Sequence, residues 1–93
     1  MDETDRIKTL IAGGAIDEAL AACQAALQST SDRHAHAHIY YLMGNAHRKR
    51  EDWQKAMNAY QQAIDIDPHS PAATARKMIT EILNYYYKDQ FNQ

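Results

Sequence analysis

Apolar and small residues recur along this chain at steps of three and four. One run is Ile16, Ala19, Leu20, Cys23, Ala26 and Leu27; a second is Trp53, Ala56, Met57, Tyr60, Ala63 and Ile64. Steps of that size put each set on one face of an α-helix. Every position of the second run lies 37 residues after its counterpart in the first. Recurrence of an amphipathic helix at such a period predicts stacked units, none of which buries its apolar face alone.

Turn signals divide the rest of the chain. Gly13-Gly14 ends a first helix, because glycine tolerates the left-handed cap that closes one. Ser29, Thr30, Ser31 and Asp32 are the candidate N-caps of a third. Arg50-Glu51-Asp52 is a short polar link ahead of Trp53. Asp67-Pro68 stops a fourth helix, since the residue before proline avoids helical geometry. Ser70-Pro71 opens a fifth as N-cap and first helical residue. The pattern predicts an all-α fold of five helices, roughly 3–12, 15–28, 32–49, 52–66 and 71–87. The links are short, so consecutive helices should run antiparallel as hairpins.

The stretch from Ala37 to Ser70 resembles a tetratricopeptide repeat. It has the 34-residue length, and the family places hold Tyr40, Met43-Gly44, His47, Ala56, Tyr60 and Pro68, with Ala63 at another small-residue place. Gly44 and Ala56 are small so that paired helices can approach, Tyr60 fills space between units, and Pro68 stops the second helix. His47 departs from the family tyrosine. The first unit matches through Ala19 and Ala26, with Cys23 in the aromatic place and Ile7 in the glycine place. The resemblance implies one domain over 1–93, stacked as a short superhelix. Repeat one spans about 1–33, repeat two 37–70 and a capping helix about 71–87, with a tail over 88–93.

The resemblance also implies a binding module for another protein or peptide. In this family the first helices line a concave groove. Its groove places fall here on His38, Tyr41, Leu42, Asn45, Arg48 and Lys49, joined by Lys8 and Ile11 from the first unit and Arg76 and Ile79 from the cap. Asn45 offers both donor and acceptor to a main chain, Arg48 and Lys49 suit an acidic group, and Tyr41 and Leu42 give apolar contact. The same residues also fit a plain solvated face, with Arg48 and Lys49 complementing a helix C-terminus. The places of the family's carboxylate clamp hold Thr4, Lys8, Leu42, Ala72 and Arg76. Only Arg76 fits in type and place, which argues against a chaperone-tail ligand.

Composition narrows the function classes. The net charge is −2 and the pI about 6.2, so no broad basic field exists to hold nucleic acid. His47-Arg48-Lys49-Arg50 is a local basic run that Glu51 and Asp52 follow at once. No apolar stretch approaches a membrane span, and MDETDRIK does not open like a signal peptide; the expected address is the cytoplasm. Lone Cys23 lies on an apolar stripe and reads as a small core residue. No phosphate loop, catalytic carboxylate pair or Ser/Cys–His arrangement is readable, so neither an enzyme nor a cofactor is expected.

Two features stay open. HAHAH, from His34 to His38, puts His34 and His38 one turn apart on a helix, a weak two-ligand candidate for zinc or nickel and hence for a small metal-responsive protein. Near the C-terminus, Ala75, Met78, Ile79, Ile82, Leu83 and Tyr86 form an apolar face, flanked by Tyr85 and Tyr87 and followed by Phe91. Tyr85, Tyr87 and Phe91 make a candidate docking or homodimer surface, because tyrosine is favoured at interfaces.

Overall fold

The computed structural model describes residues 2–91, with side chains described through Tyr85. Five helices follow in order: α1 Glu3–Ala12, α2 Ile16–Ser29, α3 Arg33–Lys49, α4 Trp53–Ile66 and α5 Ala72–Phe91. Each packs on the next, and α1 also meets α3. The stack is elongated, with extents of 50 × 28 × 17 Å.

Helix starts follow the cap chemistry. Asp2, Asp32 and Asp52 accept from the backbone N–H groups of Asp5, Ala35 and Lys55, and Ser70 Oγ accepts from Ala72 N. These bonds satisfy donors that a helix start leaves without intrahelical partners. Among the cap candidates from Ser29 to Asp32, the N-cap of α3 is Asp32. The three residues by which the spacing exceeds 34 become helix, since α3 begins at Arg33, one turn ahead of the repeat. Helix α5 continues to Phe91 rather than stopping near 87. No glycine or proline follows Pro71 to end it.

Two apolar clusters make the core. The first joins Ile7 of α1, Ala22, Cys23 and Ala26 of α2, Ile39, Leu42 and Met43 of α3, and Ala59 of α4. The second joins Ala56, Tyr60 and Ala63 of α4 to Ala72, Ala75 and Ile79 of α5. Tyr40 and Tyr41 pack against both, which makes α3 the element on which both hairpins depend. Ile79, given a groove place by the family register, is fully buried here because α5 turns that face onto α4.

The turns closing α1 and α3 are copies of each other. Gly14 N donates to Ile11 O and Ala15 N to Leu10 O; Glu51 N donates to Arg48 O and Asp52 N to His47 O. These are the paired bonds of a Schellman end, which needs a left-handed residue. Gly14 supplies it at φ 82° and Glu51 at φ 62°. A side chain in that region costs about 1–2 kcal/mol, offset in part by the extra unfolded-chain freedom of glycine. Glu51→Gly should therefore raise stability by about 0.5–1 kcal/mol, and Gly14→Ala should lower it by about 1 kcal/mol. Urea midpoints of the two variants check both signs.

Candidate functional site

The C-terminal half of α3 forms one wall of a cleft of about 530 Å³. Tyr41, Asn45, Arg48 and Lys49 line it from α3, Ile11 from the end of α1, Glu51 from the link, and Trp53 from the start of α4. Steps of four and three bring the α3 residues onto one face. Five of the residues given groove places thus share one cavity: Ile11, Tyr41, Asn45, Arg48 and Lys49.

A part-buried polar contact fixes one of the lining residues. Tyr60 Oη donates to Asn45 Oδ1 at 2.6 Å. Asn45 is thereby oriented, with its amide N–H groups left as donors. Burial raises the Tyr60 pKa above the ordinary phenol range, against a hydrogen bond from Arg48 and its charge, which lower it. The Tyr41 and Tyr60 rings lie 6.0 Å apart, a tilted aromatic pair. The cleft so combines aromatic walls, an oriented amide and two cations.

Other groove assignments fall elsewhere. Leu42 is a correction: it is 2% exposed and belongs to the first core cluster, because its face of α3 meets the first hairpin. His38 lines a separate pocket of about 190 Å³ with Glu3, Thr4 and Ile7, and its ring lies 6.2 Å from that of Tyr41. Burial and then the Lys8 charge push the His38 pKa below the ordinary imidazole range. Arg76 is half-buried on α5 and does not line the cleft. Tyr85 is 79% exposed and shares an outward apolar hollow with Met78, Glu81 and Ile82. The side chains of Tyr87 and Phe91 lie outside the described residues.

The three histidines of HAHAH go three ways. His34 is exposed, His38 faces Tyr41, and His36 Nε2 bonds both Leu27 O and Thr30 O at the end of α2. Two carbonyls on one ring nitrogen require that nitrogen to carry the proton. His36 therefore closes carbonyls that the end of α2 leaves without helical partners. Among the described residues, no three His, Cys, Asp or Glu side chains gather as metal ligands, and no helix is long and apolar enough to cross a membrane.

Cys23 is fully buried, and desolvation, then the Glu3 charge, raises its pKa from 9.0 to about 11. Below pH 9.0 the thiol is neutral in both folded and unfolded chains, and its burial is favourable. Between 9.0 and about 11 the unfolded thiol ionises first, so stability falls as pH rises. Urea midpoints should drop more steeply over that window in the wild type than in Cys23→Ala. At neutral pH the thiol should react with an aromatic disulfide reagent only when the chain unfolds.

Sequence reading missed Glu51, Trp53 and His36. Trp53 was legible only as a member of the α4 stripe, although an aromatic at the first helical position also edges the preceding link. Residues 37–70 match the tetratricopeptide repeat family. The solution NMR structure of the Bacteroides fragilis protein BF1650 is similar to the whole chain, with a TM-score of 0.88 and 52% identity, covering 100% of this chain and 92% of that one. No curated protein sequence matches the chain.

Proposed function

Because the chain belongs to the tetratricopeptide repeat family, we propose that it is a non-catalytic protein–protein interaction module, one domain of two repeats and a capping helix. The observation that carries this reading is the cleft that joins Tyr41 and Trp53 to Asn45, Arg48 and Lys49. Aromatic walls take an apolar side chain, the Asn45 amide takes a main-chain carbonyl, and the two cations take a carboxylate. The partner is a peptide segment with an acidic residue beside an apolar one.

A random heptapeptide display library panned on the protein tests this. Enriched peptides should carry that pair and should bind Lys49→Glu about 10-fold more weakly, the scale of replacing attraction by repulsion at a cleft rim. Tyr85→Ser should bind them unchanged. Equal binding to Lys49→Glu with loss on Tyr85→Ser would place the site on α5 instead.

A second reading rests on the exposed stripe of α5. Met78 is 44% exposed, and it shares a hollow of about 420 Å³ with Ile82 and Tyr85. A second copy of the chain packed there would give a homodimer. Light scattering at high concentration, with Met78→Lys as the disrupting variant, tests it; a monomeric wild type removes it.

A further inference from the structure

We infer that Glu51 is a specificity-determining residue of the cleft and receives a basic side chain of the bound segment. The inference rests on the interaction reading above and adds a second charge to the partner. It starts from the two equivalent turns. Gly14 and Glu51 stand 37 residues apart, make the same backbone bonds, and both adopt positive φ. The backbone of that turn asks for glycine, and the first repeat has it.

Glutamate at the second turn is unfavourable twice. It places a side chain in the left-handed region, and it places a negative charge at the C-terminal end of α3, where the helix dipole is already negative. Among the described residues, Arg48 and Lys49 in the last turn of α3 offset the dipole, and nothing offsets the backbone cost. Glu51 forms neither an ion pair nor a side-chain hydrogen bond, although Arg48 and Lys49 are close in sequence and line the same cavity. The neighbouring Arg50 is taken by Asp17 across the repeat at 2.7 Å. Glu51 instead lines the cleft.

The cleft therefore carries two poles, Arg48 with Lys49 on α3 and Glu51 on the link. A segment carrying only acids meets repulsion at Glu51, and one carrying only bases meets it at Arg48 and Lys49. A segment with an acidic and a basic residue a few positions apart satisfies both. This charge complementarity assigns the occupant as a peptide of mixed charge around an apolar residue.

The test uses peptides enriched from the heptapeptide library. Each is resynthesised with its lysine or arginine replaced by norleucine, and both forms are titrated against wild type and Glu51→Gln, which keeps the side-chain length without the charge. The replacement should weaken binding to wild type about 5-fold and to Glu51→Gln less than about 2-fold, the size of a partly exposed ion pair. Salt should narrow the wild-type difference. Equal loss on both proteins, or enriched peptides that lack a basic residue, overturns the role of Glu51 while leaving the acid-binding reading intact. Peptides indifferent to Lys49→Glu overturn the cleft reading itself.

Discussion

Gly44→Ala should destabilise the protein by about 3 kcal/mol, at the upper end of overpacking costs. A Cβ at position 44 would overlap two ring carbons of Tyr60, far inside van der Waals contact. The ring has nowhere to go. Tyr60 is fully buried in the second cluster, its hydroxyl is tied to Asn45, and Tyr41 flanks it. A domain of this size has about 5–14 kcal/mol of stability in total, so the melting temperature should fall by about 15 °C. Tyr60→Ala should cost about 3–5 kcal/mol alone by opening a cavity. In that background Gly44→Ala should cost little, because the clash partner is gone. Four melting curves give the coupling; additive losses would show that Gly44 matters for backbone freedom rather than for the approach of Tyr60.

The same pair shows what the sequence carried. In the hairpin of α3 and α4 a glycine on the first helix faces a tyrosine on the second. In the hairpin of α1 and α2 the positions 37 residues earlier hold Ile7 and Cys23, both buried in the first cluster. Large and small exchange sides between the hairpins, which keeps the filled volume similar. Read against a family pattern alone, Ile7 and Cys23 look like two departures; together they are one substitution. Helix positions were legible because they depend on local chemistry, as at Asp32 and Ser70, which stood among the cap candidates; the caps Asp2 and Asp52 emerge only with the structure. Leu42 and Ile79 were misplaced because a repeat register gives a face of a helix, and which neighbour covers that face depends on helix rotation. Glu51 was legible in principle, since alignment on Gly14 exposes it, but its cost appears only with its φ value. His36 was hidden by its neighbours, for three alternating histidines resemble metal ligands, and its carbonyl partners lie one helix back.

Ile79→Ala should cost about 3 kcal/mol, with a different signature. Ile79 is fully buried between α4 and α5, and among the described helices α5 packs chiefly on α4. In repeat arrays stability is shared between neighbours, so a helix held mainly by one neighbour can open alone. The loss should therefore concentrate in α5, where amide protection against hydrogen exchange falls about 100-fold, while α1 to α3 change little. That uncoupling separates α5 from the cleft. No described residue of α5 lines the cleft, so peptides selected on the wild type should still bind Ile79→Ala within about 2-fold, well under the tenfold that 1.4 kcal/mol represents. If binding collapses together with α5 protection, then Arg76 or another part of α5 reaches the ligand, and the groove is longer than the cleft from Ile11 to Trp53. If binding survives, two stacked hairpins suffice to hold the partner, and α5 acts by covering Ala56, Tyr60 and Ala63 from water.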